Sequence, residues 1–327
     1  MTLMRTMMWA AMAIGLAAGS ASAAKQNPDA ASASSAATAA ASPSADIAAL
    51  PKPVVVTYMS NGLRLKAYLC RPKGAGPFPV YLWNHGSEAD PSFDKIIAKW
   101  WLDQGFAFFK PIRSGQGGNP GPYIATVEEA IIQKEKDHQL SAAEADAQRI
   151  ALHEKANEDV VNAYKWLITL GWVDKSNVIV GGGSYGGIQT LLTAEQNVKQ
   201  NLGIRAFIAM SPAAESWGPM WSDKLTSVVQ ASQGPIYLMQ AHNDYTLGPT
   251  ETLGALVNAK GAPGRCNVFP VHVGGGDASD PHTAGHAGFF GDPTAWGPAV
   301  LNYLNAVGSV TTAEAPQAGL QQCSAHE

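Results

Sequence analysis

Residues 178–187 constrain the fold of this chain more than any other stretch. They read VIVGGGSYGG, so a β-branched apolar run meets a cluster of glycines that holds a single serine, Ser184. Residues 188–192 then have the character of a helix. A strand that turns sharply into a helix needs glycines beside the turn, because side chains there would collide with the neighbouring elements. The stretch therefore predicts a strand, a tight turn at Ser184 and a helix.

The spacing Gly182-x-Ser184-x-Gly186 matches the nucleophile elbow, in which such a turn exposes a serine hydroxyl. The amides that open the following helix would face developing negative charge, with the helix dipole behind them. The three letters are common by chance in a glycine-rich chain. The predicted strand before them and the predicted helix after them make the match more specific.

The same glycines also fit a dinucleotide-binding fingerprint, Gly181-x-Gly183-x-x-Gly186. That fingerprint requires an acidic residue at the end of the next strand, to hold a ribose. The next predicted strand, 204–210, instead ends in Ser211 and Pro212. The elbow interpretation is therefore favoured over an oxidoreductase.

Apolar runs alternate with helical patterns along residues 51–308. Runs 54–58 and 63–69 flank Asn61-Gly62, which is a hairpin signal. Further predicted strands are 78–83, 106–111, 178–183, 204–210, 236–240 and 267–271. Because helical segments separate them, the chain is predicted to be α/β, with a mostly parallel, doubly wound sheet of about eight strands.

A charged segment interrupts this alternation. Residues 124–146 have helical periodicity with Ile131 and Ile132 on one side, and a second, amphipathic helix is predicted over 152–167. We interpret residues 122–150 as a helical cap insertion. A solvated surface helix and a lid over a pocket both remain open for it.

The two ends of the chain differ in composition from this domain. Arg5 precedes an apolar run over 7–18, and residues 21–23 offer a small-x-small cleavage site, so residues 1–23 are predicted to be a signal peptide. Residues 24–50 are rich in Ala and Ser and are predicted to be a disordered linker. Residues 309–327 are expected to form a loose tail. We expect a secreted or periplasmic protein without stable membrane insertion once the signal is removed.

Charge and cysteine content restrict the classes of partner and cofactor. The net charge is −4 and no basic cluster is present, so no nucleic-acid partner is predicted. Of Cys70, Cys266 and Cys323, two could pair in an oxidising compartment, and the sequence does not show which. A zinc site is not predicted, because no two cysteines lie close in sequence, and no other metal or cofactor is predicted.

A serine nucleophile needs a base, and the base needs an orienting acid. In parallel sheets these groups come from loops after strands. Asp244 directly follows the predicted strand 236–240, and His286 follows the last strand. Ser184, Asp244 and His286 therefore form the predicted catalytic triad, in the order nucleophile, acid, base.

Other residues compete for the acid and base roles. Asp277 and Asp280 follow the last strand, where the histidine is expected. His282 could bind a metal with His286 if the segment were helical, but three glycines at 274–276 and Pro281 argue against a helix. His242 lies too close in sequence to the acid, and His85 is expected to shape a turn.

An oxyanion hole requires two hydrogen-bond donors near the nucleophile. The amide of Tyr185, directly after the serine, is predicted to be the first. The second is expected in the loop after strand 78–83, at Gly86 or Ser87.

These features together resemble the α/β-hydrolases, and most of all their dienelactone-hydrolase-like and prolyl-oligopeptidase-like branches. The resemblance covers about 54–307 and includes the turn at 84–86, the elbow and the sequence Gly285-His286-x-Gly288-Phe289. It implies an α/β-hydrolase fold and a serine hydrolase. Dienelactone hydrolases carry cysteine at the position of Ser184, so the resemblance does not extend to their substrate.

From this pattern we predict a secreted hydrolase of small carboxylic esters that forms an acyl-enzyme on Ser184. A serine peptidase or amidase of the prolyl-oligopeptidase type is the alternative. A binding protein that keeps the scaffold without catalysis is the third hypothesis.

Overall fold

A nine-stranded sheet forms the centre of the domain. The computed structural model describes residues 52–260, 264–277, 279–311 and 320–323; the predicted signal peptide and linker lie outside them. The strands are β1 (Val54–Ser60), β2 (Leu63–Cys70), β3 (Phe78–Asn84), β4 (Ala107–Pro111), β5 (Val173–Gly183), β6 (Ala206–Met210), β7 (Ile236–Ala241), β8 (Arg265–Phe269) and β9 (Gln321–Gln322). Their order in the sheet is β1-β2-β4-β3-β5-β6-β7-β8-β9.

The six strands β3 to β8 are mutually parallel, and antiparallel strands flank them. This arrangement confirms the predicted mostly parallel sheet. The carboxyl ends of the parallel strands therefore meet at one edge, where sites form in such sheets. The predicted elbow strand β5 pairs with β3 on one side and β6 on the other.

The turn between β1 and β2 is the predicted hairpin. Asn61 and Gly62 have positive φ angles of 47° and 79°. Both central residues of a type I′ turn need positive φ, which Asn and Gly tolerate best.

Helices connect the strands and cover both faces of the sheet. They are α1 (Lys95–Asp103), α2 (Ile124–Lys136), α3 (Ala142–Leu167), α4 (Tyr185–Gln200), α5 (Pro219–Ala231), α6 (Gly248–Ala259), α7 (Pro281–Thr283), α8 (Phe289–Gly291) and α9 (Pro293–Ala306). Among the helices in the described part of the chain, none combines the length and apolar character that a membrane crossing requires.

Two apolar cores lie on opposite faces of the sheet. The first contains buried side chains of α3 to α6, such as Val160, Ile188 and Leu225. The second contains buried side chains of α1 and α9, such as Trp101 and Trp296. Because both faces are covered, the central strands are apolar almost throughout, as the sequence pattern predicted.

The segment predicted to be a cap forms α2 and the start of α3. The sequence suggested one helix over 124–146, and this was wrong: the helix ends after Lys136 and a new one begins at Ala142. The reason is a capping box, in which the Ser141 side chain accepts from the Glu144 amide and the Glu144 carboxylate accepts from the Ser141 amide. A serine three residues before a glutamate could have located this start.

The C-terminal segment is not loose at residues 320–323. Gln321 and Gln322 pair with β8 as the short strand β9, which is the ninth strand that the sequence did not predict. Next to it, Cys323 forms a disulfide with Cys266 of β8, and Cys70 stays free and buried. The covalent bond fixes a strand that is too short to be held by its own hydrogen bonds.

Removing this disulfide is expected to destabilise the domain. Its cysteines are 57 residues apart, and a loop of that length corresponds to about 4 kcal/mol in the chain-entropy account of cross-links. Urea unfolding of Cys323→Ser should give a lower free energy of unfolding than wild type. Reductant should lower the wild-type value towards that of the variant and leave the variant unchanged. Equal stabilities without reductant would contradict the assigned pairing.

Candidate active site

Ser184 lies at a strained turn between β5 and α4. Its φ and ψ angles are 54° and −121°, a region that residues other than glycine rarely occupy. Its amide donates to Met210 O at 3.0 Å, and its carbonyl accepts from the amides of Gly187 and Ile188. The residue is only partly buried. The turn thus presents the serine at the carboxyl edge of the sheet, as the sequence predicted.

Glycines are required on both sides of the serine by close backbone packing. A Cβ atom at Gly182 would lie 2.5 Å from Asn84 O and 2.7 Å from Gly186 O. A Cβ atom at Gly186 would overlap Asn84 O and lie 2.9 Å from His85 O. The elbow therefore packs directly on the exit of β3, which carries the predicted oxyanion loop.

The predicted acid and base are in direct contact. Nδ1 of His286 lies 2.8 Å from Oδ1 of Asp244, and both side chains are buried. Asp244 also accepts from its neighbour's amide, Tyr245 N, at 2.7 Å and from Gln240 Nε2 at 3.1 Å. These bonds hold the carboxylate in place, so that it accepts the Nδ1 proton of His286. The Nε2 atom of His286 is then left as the proton acceptor.

His286 and the elbow share a neighbour, Phe290. The Phe290 ring lies 4.7 Å from the His286 ring, and it packs so close to Gly183 that a Cβ there would lie 2.7 Å from it. Nε2 of His286 is buried and has no hydrogen-bond partner among the described residues. The acid–base pair is formed, whereas the bond from base to serine is not made. Such a bond commonly tightens only when substrate binds.

His286 lies on a helical segment, contrary to the sequence expectation. Residues 281–291 form α7, a π-helical turn at 284–288 and α8. The glycines at 274–276 precede this segment, and Pro281 takes its first position, where a missing N–H costs nothing. The Asp280 side chain caps it by accepting from His282 N at 3.0 Å.

The competing candidates lie in other roles. His282 Nδ1 lies 3.1 Å from the backbone oxygen of Asp244, and His242 is exposed. Asp277 binds Ser279, and Asp280 caps α7. In the described ranges, no group of three His, Cys, Asp or Glu side chains could hold a metal ion. The structure therefore brings Asp244 and His286 together and leaves these other candidates outside the pair.

Tyr185, the predicted first oxyanion donor, is the first residue of α4, where the amide has no partner within the helix. Its side chain is buried, which raises the pKa of the phenol, so the hydroxyl stays protonated. The hydroxyl lies 3.1 Å from Nδ1 of His153 and accepts from Gln189 Nε2 at 2.9 Å. Two helices thus fix the ring of the residue that carries the donor amide.

This polar network continues into the cap segment. Nε2 of His153 lies 3.4 Å from Oε1 of the buried Glu128 on α2, and Arg149 binds the same oxygen at 2.9 Å. Burial alone would raise the pKa of Glu128, but His153 and Arg149 together hold it below its ordinary value. Glu128 therefore stays ionised and ties α2 to α3. Sequence analysis missed both Glu128 and His153, because their contacts join residues far apart in the chain.

The predicted second donor loop, Gly86 and Ser87, lies beside the elbow. The Tyr123 hydroxyl at the start of α2 donates to Ser87 O at 2.5 Å. Arg113, in the loop after β4, donates to the carbonyls of His85 and Gly86 at 3.0 and 2.5 Å. Arg113 was not predicted from the sequence either, since the loop that carries it is rich in turn formers.

One known family matches part of this chain in sequence. The family model of the prolyl oligopeptidase family matches residues 138–204, which include Ser184. This match supports a serine hydrolase, and the predicted resemblance to prolyl-oligopeptidase-like α/β-hydrolases is confirmed. No curated protein is significantly similar to the chain in sequence.

Three solved structures are similar to this chain at low sequence identity. The esterase Est22 has a TM-score of 0.52 and 14% identity, over 76% of this chain and 80% of that one. An acylaminoacyl peptidase of Pyrococcus horikoshii has a TM-score of 0.49 and 14% identity. The match covers 72% of this chain but only 39% of the length of the peptidase. An esterase of Pyrobaculum calidifontis has a TM-score of 0.49 and 14% identity, over 69% of this chain and 76% of the esterase chain. The match to Est22, together with the strand order of the sheet, shows the α/β-hydrolase fold that was predicted.

Replacing Gly186 with alanine is expected to distort the elbow. The added Cβ would meet the carbonyl oxygens of Asn84 and His85, which cannot rotate away. We expect a loss of about 1–3 kcal/mol in the free energy of unfolding, together with slower reaction of Ser184 with a fluorophosphonate. Urea unfolding and the labelling rate measure the two effects.

Gly171→Ala is the matched control, since a Cβ there meets nothing within 4 Å. It should keep the wild-type stability and labelling rate. If Gly186→Ala behaved in the same way as this control, close packing of the elbow on β3 would not be needed.

Proposed function

We propose that this chain is a secreted serine hydrolase that cleaves carboxylic esters through an acyl-enzyme on Ser184. The observation that carries the proposal is the buried pair of Asp244 and His286, 2.8 Å apart. Among the described residues, Nε2 of His286 has no hydrogen-bond partner, and the His286 ring contacts Phe290, which also packs on the elbow. A buried imidazole oriented by a carboxylate is the base that a serine nucleophile needs.

The reaction follows from these positions. The Ser184 hydroxyl attacks the acyl carbon while Nε2 of His286 accepts its proton, and Asp244 stabilises the imidazolium that forms. The negative charge on the former carbonyl oxygen is stabilised by the Tyr185 amide and by an amide of the Gly86–Ser87 loop. His286 then donates the proton to the leaving alkoxide. A water molecule, activated by the same histidine, hydrolyses the acyl-enzyme and restores Ser184.

We propose esters rather than amides as the substrates of this chain. The prolyl oligopeptidase family comprises peptidases, and Est22 is an esterase, so the comparisons point both ways. Among the three structures compared, Est22 alone has a TM-score above 0.5, and it matches over 80% of its own length. Esters also need less help in expelling the leaving group than amides do. A peptidase or amidase remains the second candidate because of the family match.

Export from the cytoplasm is part of the proposal. Residues 1–23 have the pattern of a signal peptide. The disulfide between Cys266 and Cys323 supports an oxidising compartment, where such bonds persist.

Variants of the triad should separate chemistry from binding. With p-nitrophenyl esters of graded acyl length, Ser184→Ala and Asp244→Asn should each lower kcat by about 10⁴-fold or more and change KM little. The asparagine keeps the shape of the side chain but favours the wrong tautomer of His286. Steady-state kinetics on the ester panel and on peptide p-nitroanilides measure both effects and the preferred leaving group.

His242→Asn is the matched control, because this histidine is exposed two residues before Asp244. It should keep wild-type kinetics. Cleavage of the nitroanilides without cleavage of the esters would make the chain a peptidase. Full ester turnover by Ser184→Ala would contradict the proposed mechanism altogether.

A further inference from the structure

We infer that Arg113 is a positioning residue of the oxyanion hole, where one buried guanidinium orients and polarises both halves of the hole. The inference rests on the proposed function. Its starting point is a charge in an unusual place. Arg113 is 1% exposed, and in the described part of the chain no carboxylate lies within 4.0 Å of it.

Burying an unpaired cation is costly, so its surroundings must stabilise it. Burial lowers the pKa of Arg113 from its ordinary value, but an arginine stays charged in proteins. The charges of Glu88 and Asp159 offset part of this lowering, and the groups that bind the guanidinium directly are dipoles. Nη2 donates to His85 O at 3.0 Å and to Gly86 O at 2.5 Å, and Nε donates to Gln116 Oε1 at 3.2 Å.

The two backbone acceptors belong to the peptide groups whose N–H groups are the predicted donors. The carbonyl of His85 shares its peptide group with the Gly86 amide, and the carbonyl of Gly86 shares its peptide group with the Ser87 amide. A charge-assisted bond to a carbonyl fixes the plane of the peptide group and polarises it, which makes its N–H a stronger donor. In the described residues, neither of these two N–H groups donates to another residue.

His85 adds to the same effect. Burial, followed by the charges of Arg113 and Lys110, lowers the pKa of His85 well below its ordinary value, so the ring is neutral. Its Nε2 lies 3.3 Å from the Arg113 amide, and its Nδ1 lies 2.9 Å from Nη2 of Arg113 and 3.0 Å from Gly86 O. The imidazole and the guanidinium therefore lie together against the carbonyl that precedes the Ser87 amide.

The same guanidinium reaches the other half of the hole. Its Cζ atom lies 4.7 Å from the ring centroid of Tyr185, a cation–π distance. Tyr185 carries the other donor amide. Arg113 thus contacts both elements that must converge on the oxyanion, and its planar shape links them at a fixed spacing. Lysine could not reproduce this arrangement, because an ammonium lacks the planar fork.

Arg113 acts through these amides rather than by touching substrate. Its remaining nitrogen, Nη1, is buried and has no hydrogen-bond partner among the described residues. Because Arg113 is almost fully buried, a substrate that enters from solvent would contact the amides of the loop and not the guanidinium. The role is therefore distinct from that of the triad.

Comparing esters with thionoesters tests this role. A thiocarbonyl sulfur accepts hydrogen bonds poorly, so a thionoester gains little from the oxyanion hole. For Arg113→Met we expect kcat/KM on a p-nitrophenyl ester to fall by about 10- to 100-fold, somewhat less than the loss of a whole donor. The matching thionoester should fall by less than about 3-fold, so the ester-to-thionoester ratio should drop by most of that factor.

Lys224→Met is the matched control. Lys224 is a largely buried cation on α5, bound to Glu154 and Glu195 instead of the oxyanion loop. Any general loosening of the fold should affect both substrates equally in this variant and leave their ratio unchanged. If Arg113→Met does not fold, Arg113→Lys provides the same test, since it keeps the charge and most of the side chain; its ratio should also fall.

The outcomes separate this inference from the proposed function. If wild type hydrolyses the ester and loses activity with Ser184→Ala, but Arg113→Met and Arg113→Lys keep the wild-type ratio, the inference about Arg113 is wrong and the proposed function stands. If Ser184→Ala hydrolyses the ester at the wild-type rate, the proposed function itself is wrong. A lower ratio in the Arg113 variants, with an unchanged ratio in Lys224→Met, supports the inference.

Discussion

The contact between the elbow and the exit of β3 is the constraint on which the site depends. Ser184 can adopt its strained backbone only because the flanking glycines let α4 start against the carbonyl oxygens of Asn84 and His85. This contact brings the serine, the first amide of α4 and the loop at Gly86 to one place. The order β3-β5 in the sheet makes these two strand ends neighbours, although almost 100 residues separate them in sequence. The order of strands in the sheet thus determines where the backbone parts of the site lie.

Buried charges surround this backbone framework on two sides. On one side Asp244 holds His286 in the orientation of a base. On the other side Arg113 holds the loop at Gly86, while Glu128 and His153 reach the hydroxyl of Tyr185. In a low-dielectric interior such groups interact strongly, and they keep neighbouring parts of the site from moving independently. A catalytic serine gains from this rigidity, because oriented dipoles then need no rearrangement during the reaction.

Much of this molecule could be predicted from the sequence because its signals are local. The Asn61-Gly62 turn, the glycines around Ser184 and the polar residues directly after apolar strands all lie within a few residues of what they determine. Arg113, Glu128 and His153 could not be found in this way, since these contacts join residues 21 to 32 positions apart and the sequence does not show which faces meet. The pairing of Cys266 with Cys323 and the two-residue strand β9 depend on tertiary contacts for the same reason. The helical segment at His286 was missed because Pro281 was interpreted as a helix breaker rather than as a helix start.

The most direct test of the account is a crystal structure of the protein after reaction with an alkyl fluorophosphonate. We expect a phosphorus atom bonded to Ser184 Oγ, with Nε2 of His286 within hydrogen-bond distance of that oxygen. The phosphonyl oxygen should accept from the amide of Tyr185 and from an amide of the Gly86–Ser87 loop. Phosphorus on another residue, or a phosphonyl oxygen directed away from both amides, would contradict the account.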